Sequence, residues 1–216
     1  MRMALDRPGL IRYQLRALLR ASAGRELSIM FPLVTTLEEF EASRALLDHE
    51  VERMAKFGRP GPEHIKVGTM LEVPAMVWQL DKLLPRIDFL SIGTNDLMQF
   101  FFAADRGNPM MGTRYDMLSL APLRMLDHVR ETCAHHDVPV SLCGEMGGRP
   151  LQAMALLGLG FRRFSVPSAS IGPVKRMLRS TNADRLENAV RAMMDAPPEN
   201  IRAELENIAD RQGIKL

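Results

Sequence analysis

Side chains that could do chemistry stand where apolar segments of the predicted strands end: Glu72 after 66–71, Asn95 and Asp96 after 87–92, and Cys143 at the end of 138–143. Glu72 and Asp96 are about one strand-and-helix unit apart, so two carboxylates would face a common opening. Such hard oxygen ligands suit Mg²⁺ or Mn²⁺. The alternative is structural: Glu72 would form a salt bridge with a lysine, and Asp96 would cap the helix that begins near Leu97.

A thiol and a guanidinium add to this set. Cys143 precedes Gly144, which would let a substrate approach the backbone closely, and its thiol could act as nucleophile or general acid. Arg106 lies in a glycine-flanked loop, and its planar fork suits phosphate or carboxylate. An isolated arginine can also merely brace a loop. Cys133, on a predicted helix, is interpreted as a small buried apolar side chain.

Other polar residues are assigned no ligand. Arg12, Arg16 and Arg20 form an i, i+4, i+8 stripe, which predicts a solvated helix face. The 5 histidines show no spacing typical of metal ligands. His135 and His136 come at the end of a predicted helix, where a cation complements the helix dipole.

Alternating strands and helices must position these groups. The predicted strands are apolar throughout and comprise residues 27–31, 66–71, 87–92, 138–143 and 164–166. The predicted helices comprise 8–23, 36–58 with a capping box of Thr36 and Glu39, 74–84, a segment from Leu97, 121–136, 150–158 and most of the remainder, broken at Pro197 and Pro198. Residues 104–118 are predicted to be irregular. Since parallel strands need long crossovers, this order indicates a parallel α/β sheet in one domain, residues 1–216.

Two architectures would bring the carboxyl ends of these strands to one side of the sheet. A (β/α)₈ barrel of the TIM type and an open doubly wound sheet both bind ligands at the carboxyl ends of their strands. The number of contributing strands favours the barrel. A barrel needs eight strands and five are predicted, with residues 1–5 as the remnant of another strand or its exit. The expectation is therefore an incomplete, N-terminally truncated barrel with exposed strand edges.

Composition excludes several classes of protein. The chain has 216 residues, of which 46% are hydrophobic and 25% charged, which is ordinary for a globular protein. Its formal net charge of +2 gives no support for nucleic-acid or membrane-surface binding. No apolar run is long enough to span a bilayer, and no signal peptide is evident. With only two cysteines, the cytoplasm is the expected location.

Three ordered motifs resemble the signatures of the phosphoenolpyruvate (PEP)-utilising enzymes: residues 68–74 (GTMLEVP), 91–99 (SIGTNDLMQ) and 142–146 (LCGEM). Residues 104–108 (ADRGN), 20–23 (RASA) and 29–32 (IMFP) resemble enzyme I of the phosphotransferase system and, within it, the nitrogen-related branch found in proteobacteria. The resemblance covers nearly the whole chain.

The resemblance implies a role for each candidate residue. Asn95, Asp96 and Arg106 would hold PEP, with Asn95 and Arg106 on its phosphate. Glu72 and Asp96 would bind Mg²⁺, with Mn²⁺ as an alternative. Cys143 would donate the proton that converts the enolate to pyruvate.

The resemblance also implies the reaction and its partners. The chain would be the PEP-binding part of a PEP–protein phosphotransferase, in which PEP and a protein histidine give pyruvate and phosphohistidine. The family's phosphohistidine domain and docking site for the histidine phosphocarrier protein have no counterpart here, so the fragment alone is not expected to complete the transfer. A homodimer is expected. The alternatives are a non-catalytic module for dimerisation or PEP sensing, and a metal-dependent lyase acting through pyruvate enolate.

Overall fold

A computed structural model describes residues 1–108 and 114–216. Part of the predicted irregular stretch, residues 109–113, therefore lies outside the described residues. The chain divides into two compact units, Met1–Ser91 and Ile92–Leu216. Each is described by itself, and the single domain over residues 1–216 stays a prediction.

The first unit alternates helices with strands. In chain order its elements are α1 (Arg2–Asp6), α2 (Gly9–Ala21), β1 (Glu26–Phe31), α3 (Leu37–Lys56), β2 (His64–Leu71), α4 (Pro74–Val77), α5 (Leu80–Leu83), a 3₁₀ turn (Leu84–Arg86) and the beginning of β3 (Phe89–Gly93). Thr36 caps α3, since its hydroxyl accepts a hydrogen bond from the backbone of Glu39 at 3.3 Å. The Glu39 carboxylate accepts from the backbone of Thr35 at 2.7 Å, so the predicted capping box forms with its second bond shifted by one residue.

The second unit is richer in helix. After the end of β3 its described elements are α6 (Thr94–Phe101), α7 (Leu120–His135), β4 (Val140–Cys143), α8 (Glu145–Gly148), α9 (Pro150–Gly158), β5 (Phe164–Ser165), α10 (Ser168–Arg179), α11 (Ala183–Asp195) and α12 (Ile201–Gln212). Helix α9 is buried along nearly its whole length and packs on α11. Within the described ranges, each helix is too short or too polar to cross a bilayer.

The five strands follow one another across the sheet in chain order, from β1 to β5. Strand β1 pairs in parallel with β2, with Glu26 opposite His64 and Phe31 opposite Thr69. Strand β4 pairs in parallel with β5. An open doubly wound sheet reverses its strand order at a switch point, whereas consecutive order is the arrangement in a barrel. The predicted α/β fold, of incomplete TIM-barrel type, is therefore confirmed.

Two predicted elements differ from the structure. Residues 1–5 are not the remnant of a strand, because α1 occupies Arg2–Asp6; its Arg, Met, Ala and Leu are all strong helix formers. The helix predicted at 74–84 is interrupted, since α4 ends at Val77 and α5 begins at Leu80. The side chain of Gln79 bonds backbone groups of Leu37 and Thr35, and this contact coincides with the interruption.

The arginine stripe on α2 is not a solvated face over its whole length. Glu50 of α3 has a fully buried carboxylate that accepts hydrogen bonds from Arg12 Nε and Arg16 Nε, both at 2.5 Å. Hydrogen bonding to Arg16 lowers the pKa of Glu50 to about 2, against the opposing effect of burial. The spacing indicates a row of arginines but not their acidic partner, because that partner lies on another helix. Only Arg20 keeps the predicted exposure.

Candidate active site

Glu72 lies in the first unit, directly after the carboxyl end of β2. Its side chain is buried, with 5% of the residue exposed, and its Oε2 accepts a hydrogen bond from the backbone N–H of Leu33 at 2.8 Å. Leu33 follows β1, so Glu72 joins the segments that leave two neighbouring strands. Gly68 lets β2 approach the start of β3, because a Cβ there would be 2.5 Å from the carbonyl oxygen of Phe89. The first motif therefore places a buried carboxylate at the carboxyl edge of this unit.

In the second unit, the turn after β4 packs directly against the beginning of α6. The hydroxyl of buried Thr94 donates to the carbonyl oxygen of Cys143 at 3.1 Å. Gly144 has a φ of 112°, and a Cβ there would be 2.4 Å from Thr94 Oγ1. Glycine is thus required both by its backbone conformation and by the contact. The second and third motifs meet at this point.

The half-buried Cys143 has a defined orientation. Its Sγ donates to the carbonyl oxygen of Ile92 at 3.3 Å. This contact holds the Cys143 side chain against the end of β3, and a thiol held in this way can act as a general acid. Cys133 is different: it is fully buried, and desolvation raises the pKa of its thiol to about 12. The interpretation of Cys133 as a buried apolar side chain agrees with this environment.

Asn95 is oriented by the turn that follows Cys143. Its Oδ1 accepts a hydrogen bond from the backbone N–H of Glu145 at 3.0 Å. Because the carbonyl side of the amide is engaged, its Nδ2 donor is directed elsewhere. Among the described residues no acceptor contacts this Nδ2 atom.

Asn95 and Arg106 line one open cavity of about 400 Å³, solvent at its mouth included. Its other walls are Met98, Gln99, Phe102, Ala104, Asp105, Tyr115 and Met117. The rings of Phe102 and Tyr115 stack with centroids 4.8 Å apart, and the backbone N–H of Arg106 donates to Gln99 Oε1 at 3.3 Å. This cavity therefore combines an aromatic wall with two nitrogen donor groups.

Arg106 and Asp96 form a long ion pair. Arg106 Nη2 lies 3.8 Å from Asp96 Oδ1, and the side chains are 51% and 33% exposed. Such a pair contributes at most about 1 kcal/mol, so both groups remain able to bind a ligand. Asp96 is not the helix cap considered as its alternative role: α6 begins at Thr94 with Gly93 at the N-cap position, and Asp96 lies inside the first turn.

The carboxylates fit a hard divalent cation by donor chemistry. Glu72 and Asp96 offer oxygen atoms, which Mg²⁺ prefers. The described residues include no group of three or more His, Cys, Asp or Glu side chains able to hold a metal. Either carboxylate alone would leave most of the coordination of such an ion to water and substrate oxygens, as is common for Mg²⁺. That both bind one ion stays a prediction.

The candidate residues fall in both units. The second unit brings together Asn95, Asp96, Arg106 and Cys143, whereas Glu72 belongs to the first. The sequence does not predict that Thr94 helps to form the site. The available signal was its position in the second motif, directly before Asn95. Tyr115 was also missed, because nothing in an irregular stretch predicts which ring will stack on Phe102.

Comparison with known proteins identifies relatives over most of the chain. The family described as PEP-utilising enzyme, PEP-binding domain, matches residues 1–183. A phosphoenolpyruvate-dependent phosphotransferase system protein of Salmonella typhimurium is 38% identical over 99% of this chain and 29% of its own length. A phosphoenolpyruvate-protein phosphotransferase of Bacillus subtilis is 38% identical over 87% of this chain and 33% of its own length. The chain thus spans about a third of these relatives.

A solved structure supports the fold. A citrate lyase from Burkholderia xenovorans LB400 superimposes with a TM-score of 0.55, covering 94% of this chain and 69% of that chain. The two sequences are 16% identical, so the likeness shows the fold alone.

Proposed function

Since the chain belongs to the PEP-binding domain family of the PEP-utilising enzymes, we propose that it is the PEP-binding part of a PEP–protein phosphotransferase. The reaction would move the phosphoryl group of PEP to a protein histidine and leave pyruvate. The observation that most directly supports the proposal is that Asn95 and Arg106 line a single cavity. The Asp96 carboxylate lies 3.8 Å from the Arg106 guanidinium.

The phosphate would be held by nitrogen donors. Asn95 offers its Nδ2, because its Oδ1 is engaged by the backbone of Glu145. Arg106 offers a planar fork that matches two phosphate oxygens, and its ion pair with Asp96 is long enough to be exchanged for a ligand. Since phosphoryl transfer depends mostly on positioning and charge neutralisation, these groups would supply part of what the step requires.

Glu72 and Asp96 are the proposed ligands of Mg²⁺, with Mn²⁺ as an alternative. A bound divalent ion would neutralise part of the negative charge that PEP carries. Support for the pairing comes from the family membership, from the position of Glu72 directly after β2 and from that of Asp96 in the first turn of the helix that follows β3.

Cys143 is the proposed proton donor. When the phosphorus–oxygen bond breaks, its electron pair remains on the enolate oxygen of pyruvate. The S–H of Cys143 would then protonate the methylene carbon, leaving a thiolate that solvent reprotonates. The hydroxyl of Thr94 and the absence of a side chain at Gly144 would keep the thiol in position. Protonation at carbon makes the transfer difficult to reverse.

The remaining parts of the proposal follow the relatives. Phosphotransfer would pass through a phosphohistidine to a histidine phosphocarrier protein, in a homodimeric enzyme of the cytoplasm. The relatives are named for a phosphotransferase or a phosphotransferase system, and this chain matches about a third of their length.

Calorimetric titration of PEP into the chain, with and without Mg²⁺, tests the proposal. We expect saturable binding that requires Mg²⁺ and is weakened at least about tenfold in Arg106→Gln, because a charge-assisted hydrogen-bond pair is lost. The control is Arg191→Gln, which removes an exposed arginine on α11. Equal affinity in both variants would contradict the site. Release of pyruvate and an aldehyde from a hydroxy acid would instead favour the lyase alternative.

A further inference from the structure

A second cavity, in the first unit, is lined mainly by arginines. It encloses about 320 Å³, including solvent at its mouth, and its walls are Arg16, Arg20, Glu50, Arg53, Met54, Phe57 and Arg59. Four of these seven side chains are positively charged and one is negatively charged. The cavity therefore has a strongly positive lining in a chain whose overall charge is close to neutral.

The single carboxylate in the cavity is already engaged. Glu50 accepts from Arg12 Nε at 2.5 Å and from Arg16 Nε and Nη2 at 2.5 and 3.0 Å. Both of its oxygens are used, so it does not pair with the arginines at the rim. In the described part of the chain, Arg20, Arg53 and Arg59 have no carboxylate partner.

Two rim arginines contact the same aromatic ring. The guanidinium carbons of Arg53 and Arg59 each lie 5.9 Å from the centroid of the Phe57 ring. Cation–π attraction favours each contact and leaves the N–H donors of both guanidinium groups able to bind an anion. Phe57 itself is 61% exposed, so the ring and both cations are accessible.

The arginine cavity lies at the opposite end of the first unit from Glu72. The backbone N–H of Arg59 bonds the carbonyl of Met54 at the end of α3, and the chain then leads into the amino end of β2. Glu72 follows the carboxyl end of this eight-residue strand. At about 3.3 Å per residue the two positions are separated by roughly 25 Å along the strand. This cavity is therefore separate from the proposed ligands of PEP.

We propose that the arginine cavity binds the phosphate group of a small molecule. Guanidinium forks match phosphate oxygens two at a time, and several of them together suit a multiply charged anion better than a single carboxylate. The residues that line the cavity come from α2, from the end of α3 and from the segment that follows α3. This site is independent of the proposed phosphotransferase reaction.

Titration of the 216-residue chain with inorganic pyrophosphate in the absence of Mg²⁺ tests this site, with backbone amide shifts as the readout. Glycerol 3-phosphate, titrated in parallel, distinguishes a phosphate ester from free phosphate. We expect saturable shifts in residues around Arg53 and Phe57 for at least one probe. The double variant Arg53→Gln/Arg59→Gln should weaken that binding about tenfold or more, since two charge-assisted contacts are lost. Both side chains are exposed, so the fold should persist, and far-UV circular dichroism checks it.

Two controls make the outcome specific. Arg191→Gln removes the same charge from an exposed site on α11, and Arg106→Gln removes the proposed PEP contact in the second unit. Unchanged affinity in both controls, with loss in the double variant, supports the arginine cavity. Absence of saturable binding, equal weakening in Arg191→Gln, or loss of binding in Arg106→Gln would each overturn it. The last result would leave the proposed PEP site intact, so the two proposals fail separately.

Discussion

The hydroxyl of Thr94 donates a hydrogen bond to the carbonyl oxygen of Cys143 at 3.1 Å, which ties the first turn of α6 to the end of β4. Gly144 completes this junction, since any side chain there would collide with the same hydroxyl. The thiol proposed as proton donor is thus positioned by a residue 49 positions earlier in the chain.

Gly144→Ala should destabilise the protein and displace Cys143. The φ of 112° is strained for alanine, and the new Cβ would lie 2.4 Å from Thr94 Oγ1. We expect a loss of about 2–4 kcal/mol in the free energy of unfolding, measured with urea. Gly172→Ala is the matched control, because a Cβ at Gly172 meets nothing within 4 Å and Gly172 lies in α10. A similar loss in both variants would refute the role of the Thr94 contact.

Cys143→Ala should abolish proton transfer at the methyl carbon of pyruvate while leaving PEP binding intact. Exchange of pyruvate methyl protons for deuterium in D₂O with Mg²⁺, followed by NMR, reports this step without a phosphoryl acceptor. Because a positioned acid–base group is lost, we expect the exchange rate to decrease about 100-fold or more. Cys133→Ala is the comparison, since its thiol is fully buried and its pKa is raised to about 12. Normal exchange in Cys143→Ala would remove this thiol from the mechanism.

Asp96→Ala should abolish Mg²⁺-dependent binding of PEP without unfolding the chain. The carboxylate is one of the two proposed metal ligands, and its 33% exposure means that little packing is lost. Calorimetric titration with PEP and Mg²⁺ measures the effect. Asp195→Asn, which removes an exposed carboxylate at the end of α11, should leave the affinity unchanged. Unaltered affinity in Asp96→Ala would exclude Asp96 as a ligand.

Glu50→Gln should lower stability at neutral pH by about 3 kcal/mol, because it leaves two arginines without their buried partner. The folded-state pKa of Glu50 is lowered from 4.5 to about 2 by its bond to Arg16. A lowered pKa contributes stability above the unfolded value, and this contribution disappears as the pH falls from about 4.5 towards 2. Urea unfolding at pH 7 and pH 3 should therefore show a smaller difference between wild type and variant at the lower pH.

Asp48→Asn on the same helix is the control for Glu50. Asp48 pairs with Arg44 one turn away, and its side chain is 53% exposed. An exposed pair of this kind contributes about 0.5 kcal/mol or less, so little change is expected at either pH. If Glu50→Gln were as mild as Asp48→Asn, the buried cluster would not stabilise the first unit.

The strands and most helices are predictable from the sequence because their signals are local. All five predicted strands exist within two residues of their predicted ends, and α9 has its predicted bounds of Pro150–Gly158. Apolar runs of strand length, proline at helix starts and glycine at helix ends are read from neighbouring residues alone. The order of the motifs also placed Asn95, Asp96 and Cys143 at strand ends, where parallel sheets expose ligand sites.

The tertiary structure decided which side chains meet. No spacing along the chain predicts that Thr94 donates a hydrogen bond to the carbonyl oxygen of Cys143. Nor does any spacing predict that Arg12 and Arg16 bond the buried carboxylate of Glu50. These contacts depend on the packing of elements far apart in sequence, and the exclusion of competing water strengthens each of them. Periodicity along α2 therefore correctly identified a row of arginines, while packing against α3 determined that part of the row is structural and part lines a cavity.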